Sequence, residues 1–145
     1  MEASLCALGD TDIRPALFDH FFEAFPDQRP AFINLDAASA RMTNETIEAM
    51  MGLAEGAPWV ETTIVNFVDL HRNYGAIPHD HYSAFVDMTV GAMAGAADPP
   101  WSSAETRVWH DYGAKLKSMI EKACLARPPH DSLFLKGVPH VQNSA

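Results

Sequence analysis

Histidine is the side chain best placed to do chemistry in this sequence. Of the seven histidines among 145 residues, only His71 ends a clean apolar stripe. Val60, Ile64, Phe67 and His71 follow one another at steps of four, three and four residues, the spacing of one helical face. A neutral imidazole can give one ring nitrogen to a metal while the other donates to a backbone carbonyl. The sequence therefore makes His71 a candidate metal ligand, although such a histidine is more often an ordinary core or boundary side chain.

Other groupings of reactive side chains are weaker. His79 and His81 flank Asp80, but residues two apart on a helix point about 200 degrees apart, so they would share a metal only from a loop. The sequence has no Glu-x-x-His pair of the di-iron type, no glycine-rich phosphate loop and no Gly-x-Ser-x-Gly motif. Cys6 and Cys124 lie far apart, without any Cys-x-x-Cys, so neither a zinc knuckle nor a disulfide framework is indicated.

Composition limits the partners that the chain is expected to have. Ten lysines and arginines against nineteen acidic residues give a formal net charge of -9, which is the opposite of a nucleic-acid binder. No segment approaches the roughly 20 apolar residues of a membrane span, and the apolar run at 3–9 is too short for a secretory signal. We therefore expect a single domain located in the cytoplasm, with neither nucleic acid nor membrane as a partner.

The elements that must position His71 are predicted to be helices. Glycine and proline cluster at 9–11, 26–30, 56–58, 75–80 and 97–103, and no block between them alternates like a strand. We predict helices over 12–25, 58–71, 79–96 and about 102–123, and another that ends near 54 and begins at Asp36 or at Asn44. These blocks predict an all-α domain over 1–126, followed by a tail at 127–145 that could dock through Leu133, Phe134 and Leu135.

The order of these residues resembles the globin family, and specifically its compact single-domain bacterial members. Segment 25–32, Phe-Pro-Asp-Gln-Arg-Pro-Ala-Phe, is similar to the end of the second globin helix and the short third helix, and Phe32 matches the phenylalanine that packs against the haem. Segment 70–78, Leu-His-Arg-Asn-Tyr-Gly-Ala-Ile-Pro, is similar to the proximal segment, and His71 matches the iron ligand. Tyr82 and Trp109 resemble aromatic residues of the last two globin helices. The resemblance covers roughly residues 10–123.

This resemblance implies a globin-like three-over-three helical sandwich that holds haem b. His71 would ligate the iron, and the other haem-contacting positions would be Phe18, Phe32, Met42, Thr46, Phe67 and Ile77. The family often places a histidine, glutamine or tyrosine near Met42, and a tyrosine where Phe18 stands; this sequence has neither. Bound oxygen would then be poorly stabilised, which leaves carbon monoxide or nitric oxide relatively favoured. Arg41 and Arg72 are candidates to pair with the propionates.

The function implied is the reversible binding of a diatomic gas (O2, CO or NO) at a haem iron. One alternative is an enzyme, either a nitric oxide dioxygenase or a peroxidase, that works with a separate reductase. The chain is too short to contain a reductase domain and shows no distal acid-base group, so catalysis is the less favoured interpretation. A second alternative is a haem-free sensor or interaction module. The phenylalanine-rich first helix and Met42, Met50 and Met51 are compatible with this alternative. A homodimer is one possible oligomeric state.

Overall fold

The chain folds into helices joined by short turns. The computed structural model describes residues 1–126, so the tail at 127–145, with the docking predicted for Leu133, Phe134 and Leu135, lies outside the described residues. The α-helices are α1 (Glu2–Cys6), α2 (Arg14–Ala24), α3 (Leu35–Glu55), α4 (Trp59–His71), α5 (His79–Ala96) and α6 (Ser103–Ala126), and 3-10 helices span Pro26–Ala31 and Arg72–Tyr74. No strand occurs in the described part, which confirms the all-α prediction.

The structure differs from the sequence prediction at the helix starts. The short helix α1 was not predicted, because five residues give too little periodicity to recognise. Helix α3 begins at Leu35, within one residue of the earlier of the two predicted starts, and Asn34 caps it: its side-chain oxygen accepts a hydrogen bond from the Ala37 N–H at 3.2 Å. Asn44, the later of the two predicted starts, lies inside the helix and is exposed. An early start gives α3 enough length to form one whole wall of the site described below.

Two buried clusters hold the helices together. The larger one joins α3, α4, α5 and α6 around Trp109, Met50 and Met93, none of which exposes any measurable surface. The smaller one is built from phenylalanines of α2 packed on α5, with Phe18, Phe21 and Phe85 at its centre. None of the helices in residues 1–126 is long and apolar enough to cross a membrane. The burial of these apolar side chains is the main stabilising force of such a fold.

Helices α3 and α4 approach each other closely at a glycine. Gly56 ends α3 in the left-handed conformation, with φ of 68°, and turns the chain directly into α4. At Gly52 a Cβ atom would lie 2.6 Å from Val60 Cγ2 and 2.7 Å from the Trp59 ring, so only a glycine allows this packing. The two helices are therefore in close contact at the start of α4, at the opposite end of that helix from His71.

Candidate functional site

A cavity of about 480 Å³ lies between α3, α4, α5, α6 and the turn at Pro26–Ala31. Six of the seven positions predicted to contact a haem line it: His71, Phe32, Met42, Thr46, Phe67 and Ile77. These residues come from four separate segments of the chain, so the fold brings together side chains that are up to 45 positions apart in sequence. The cavity is mostly apolar, and its volume falls in the range of about 300–1,000 Å³ that is common for small-molecule and cofactor sites.

Phe18, the seventh predicted contact, lies behind the cavity wall. Its ring centroid is 5.8 Å from that of Phe32 and 5.5 Å from that of Phe85, and only 3% of the residue is exposed. Both of those neighbours line the cavity, whereas Phe18 does not. Phe21, three residues later on α2, lines it instead. Phe18 therefore supports the wall from behind in this structure.

His71 is held by a hydrogen bond that leaves one ring nitrogen available. Its Nδ1 lies 2.8 Å from the carbonyl oxygen of Phe67, one turn earlier on α4. A carbonyl oxygen can only accept, so Nδ1 donates, and in the neutral ring Nε2 keeps an unshared electron pair. Among the described residues, no group forms a hydrogen bond with Nε2. The last turn of α4 thus presents a metal-ligating nitrogen at a cavity.

Burial keeps this imidazole in its neutral form. The pKa of His71 is lowered from its ordinary value, chiefly because burial penalises the charged ring, and the hydrogen bond to Phe67 opposes this only in part. The ring is also packed between aromatic neighbours, with centroid distances of 4.2 Å to Phe67 and 5.4 Å to Tyr82. A neutral, rigidly packed imidazole is the state that binds a metal ion.

Met42 and Thr46, the two α3 positions predicted to contact a haem, offer no hydrogen-bond donor to the cavity. Met42 contributes a thioether, and the Thr46 hydroxyl donates its one proton to the carbonyl oxygen of Met42 at 2.7 Å. After that bond the hydroxyl has only lone pairs left, so it can accept but not donate. Thr46 therefore does not supply a donor to a molecule bound in the cavity.

Charged and exposed side chains surround the mouth of the cavity. Arg41 Nε bonds to Glu45 Oε1 at 2.8 Å, and both residues line the cavity. Ile33 and Tyr74, also lining residues, are 98% and 64% exposed. Arg72, the second cation proposed for a propionate, pairs with Asp69 at 3.6 Å and does not line the cavity. Arg41 is thus the arginine that lies at the cavity in this structure.

Several residues that line the cavity were not predicted from the sequence. Tyr82 and Phe85 of α5, and Leu116 and Ile120 of α6, complete the cavity. All four lie in helices that the sequence predicted, but the periodicity of a helix cannot say which part of its buried face borders a cavity. His81 also lines the site, with its ring centroid 4.1 Å from that of Phe25, and its buried Nδ1 has no hydrogen-bond partner among the described residues.

The described residues contain no ready-made multi-ligand metal site. No group of three or more histidine, cysteine, aspartate or glutamate side chains is clustered in residues 1–126. His79 faces Glu121, with 3.9 Å between Nε2 and Oε1. No protein-family model, curated protein or solved structure matches the chain. The functional proposal therefore rests on the residues themselves.

Proposed function

We propose that this chain is a haem-binding globin that reversibly binds a diatomic gas at an iron ligated by His71. The observation that carries this proposal is the hydrogen bond from His71 Nδ1 to the Phe67 carbonyl at 2.8 Å, which leaves Nε2 unprotonated beside an apolar cavity. A ligating histidine commonly donates its second N–H to a backbone carbonyl in this way. One protein nitrogen is sufficient for a haem iron, so the lack of a multi-ligand cluster in the described residues does not oppose the proposal.

We further propose that the helices form the globin-like three-over-three sandwich. Helix α6 contacts α3, α4 and α5, and helix α2 contacts α3 and α5. These contacts support two groups of helices that cross each other around the cavity. Helix α1 has five residues and is the shortest α-helix in residues 1–126, so its length is the least like that of a full globin helix.

The residues around the cavity are suited to a haem. Phe32, Phe67 and Ile77 provide apolar surface for a macrocycle, and Arg41 lies at the opening, where it could pair with a propionate once it leaves Glu45. When bound, the haem would supply the iron at which a gas coordinates. The chain would hold the iron through Nε2 of His71 and exclude water with its apolar wall.

The α3 wall indicates which gases would be favoured. A donor near the iron stabilises bound oxygen, because that ligand carries negative charge. Thr46 has already given its proton to Met42, and Met42 has none to give. We therefore expect carbon monoxide or nitric oxide to bind better relative to oxygen than in a globin with a donor at this wall.

Absorption spectra of the protein expressed with haem available test the proposal. We expect a stoichiometric Soret band that shifts on reduction with dithionite and again with carbon monoxide. His71→Ala should lose these ligation spectra while circular dichroism still reports helices. His20→Ala is the matched control, because His20 is exposed on α2 and does not line the cavity, and it should keep the wild-type spectra.

The same experiment distinguishes the haem-free alternative from the proposal. A colourless protein that takes up no added hemin would contradict the haem proposal and favour a haem-free sensor or interaction module. An unchanged Soret band in His71→Ala would show that another residue ligates the iron. An enzyme working with a separate reductase would give the same spectra, but nothing in the described residues favours it over gas binding.

A further inference from the structure

The thioether of Met42 is a metal-ligating group of the cavity that the gas-binding proposal does not use. Met42 lines the same cavity as His71 and is partly buried against the phenylalanine cluster of α2 and α5. A thioether is a soft ligand, and in some proteins haem iron is held by a histidine on one face and a methionine on the other. The position of Met42 relative to His71 therefore decides whether it can act in this way.

Met42 and His71 lie equally far from the turn that joins the two helices carrying them. Helix α3 ends at the cap Gly56, and α4 begins after the cap Pro58. Met42 precedes Gly56 by 14 residues and His71 follows Pro58 by 13, so each lies about 20 Å from the turn along its own helix, at a rise of 1.5 Å per residue. The two side chains line one cavity, each from its own helix.

The stretch of α3 around Met42 lies within electrostatic reach of His71. Burial lowers the pKa of the His71 imidazole most strongly, but the charge of Glu45 also raises it and the charge of Arg41 also lowers it. Positions 41, 42 and 45 share one face of α3, and all three line the cavity. That face of α3, with Met42 on it, is therefore turned towards His71.

The other polar side chains on this face of α3 are already engaged. Glu45 Oε1 accepts a hydrogen bond from Arg41 Nε at 2.8 Å, at the mouth of the cavity. The Thr46 hydroxyl is neutral and donates to the Met42 carbonyl at 2.7 Å. The sulfur of Met42 is thus the ligand that α3 offers to the face of a haem iron opposite His71.

His81 carries the other imidazole among the residues that line the cavity. Its ring packs on Phe25, with 4.1 Å between centroids, and Phe25 does not line the cavity. A second imidazole on the iron would give a spectrum different from that of an imidazole with a thioether. The experiment below therefore separates His81 from Met42.

We propose that Met42 is the second axial ligand of the haem iron when no gas is bound. This inference rests on the proposed function, because it needs a haem held by His71. A gas would bind only after the iron–sulfur bond breaks and the thioether moves aside, which the flexible methionine side chain permits. The exchange moves no proton and no electron, because the thioether is neutral before and after it. Met42 would therefore slow the entry of a gas without changing how fast a bound gas leaves.

Spectra of the haem-loaded protein and of its Met42→Leu variant test the proposal. In the wild type we expect low-spin spectra and, after reduction, a Met42 methyl proton signal that the ring current of the haem shifts far upfield. Met42→Leu keeps a similar volume without the sulfur, so it should give high-spin spectra with a full Soret band. Met88→Leu is the matched control. Met88 is partly buried against the same phenylalanine cluster but does not line the cavity, so the variant should keep the wild-type spectra.

The rate of carbon monoxide binding provides a second measurement. In the wild type the rate should level off at high carbon monoxide concentration, because the sulfur must leave the iron first. In Met42→Leu the rate should stay proportional to the concentration and exceed that of the wild type by about tenfold, as stopped-flow mixing would measure. Equal, concentration-proportional rates in the two proteins would contradict the proposal.

The spectra also separate a failure of this proposal from a failure of haem binding. A high-spin wild type with a full Soret band would show that the iron has a free face, which overturns the role of Met42 and keeps the haem. Low-spin spectra that persist in Met42→Leu would overturn it as well and would point to His81. A wild type without any Soret band would overturn the haem proposal and this one with it.

Discussion

Two walls of the cavity beside His71 use the same kind of hydrogen bond to different effect. On α4, His71 Nδ1 donates to the Phe67 carbonyl at 2.8 Å, and on α3, Thr46 Oγ1 donates to the Met42 carbonyl at 2.7 Å. Each bond runs to the residue four positions earlier. An imidazole has a second nitrogen that remains available afterwards, whereas a hydroxyl has only one proton to give. The α4 wall therefore keeps a metal-binding atom, and Thr46 on the α3 wall has no donor left.

The difference shows that a polar side chain near a cavity must be judged atom by atom. His71 and Thr46 both line the site, and each uses one atom in a hydrogen bond to the backbone of its own helix. His71 keeps a second ring nitrogen, whereas Thr46 keeps no proton to donate. The surroundings add to the contrast, because the rings of Phe67 and Tyr82 lie against His71, whereas Thr46 is bonded to the backbone of Met42, a residue with a flexible side chain. Residue identity alone would rate both positions as polar.

The largest expected effect comes from forcing the two walls apart at Gly52. A Cβ atom there would lie 2.6 Å from Val60 Cγ2, and Val60 is buried and branched, so it cannot move aside easily. We expect Gly52→Ala to lower the free energy of unfolding by about 1–3 kcal/mol, measured by urea denaturation.

Gly91→Ala is the matched control for this substitution. Gly91 lies inside α5, and an added Cβ would meet nothing within 4 Å. Replacing glycine by alanine in a helix then raises stability, here by about 0.5–1 kcal/mol. If both variants were stabilised, the close approach of α3 and α4 would not depend on Gly52.

A donor placed on the α3 wall should remove the difference between the walls. Met42→Gln keeps a side chain of similar length and adds an amide N–H that could bond to an oxygen molecule on the iron. In haem-loaded protein we expect oxygen to dissociate about tenfold more slowly, as stopped-flow displacement by carbon monoxide would measure. Met42→Leu adds no donor and should retain the wild-type rate. Equal rates in the two variants would mean that Met42 does not face the bound gas.

The smallest expected effect concerns the buried hydroxyl of Tyr82, whose ring lies against His71. Burial raises the pKa of the Tyr82 hydroxyl above its ordinary value, and proximity to Cys124 adds to the shift. The unfolded chain therefore loses this proton at lower pH than the folded protein does. The stability linked to the neutral hydroxyl is fully present below about pH 10 and is lost as the pH rises through the range between the two pKa values.

Tyr82→Phe should reduce this alkaline loss of stability. At about pH 10.5 the wild type should have lost somewhat less than about 1 kcal/mol of its unfolding free energy through ionisation of Tyr82 in the unfolded chain. The variant should not show this loss, and urea denaturation at several pH values would measure the difference. Tyr112→Phe removes a hydroxyl from a ring outside the cavity and should follow the wild-type curve. A Tyr82→Phe curve that parallels the wild type would contradict the raised pKa.

Much of the helical architecture could be predicted from the sequence. Pro58 and Pro78 precede helices, and the stripe from Val60 to His71 ends where α4 ends. These are local features, since a helix bonds each residue to one four positions away. The start of α3 could not be predicted as well, because Asn34, Asp36 and Asn44 are all suitable caps and only the folded chain uses Asn34.

The candidate site could be predicted only in part. His71 and Phe32 stood out through their order and spacing, and both line the cavity. Phe18 and Phe21 are one turn apart on the same apolar face of α2, so the sequence could not tell which of them borders the cavity and which lies behind it.

The sequence by itself determined that this chain forms helices and which face of each helix is buried, because those properties depend on neighbours within a few residues. The tertiary structure decided where buried faces fail to fill space, and so where α3, α4, α5 and α6 leave a cavity beside His71. It also decided that Nε2 of His71 has no hydrogen-bond partner within residues 1–126. Packing between distant segments sets these outcomes, and no local pattern encodes it.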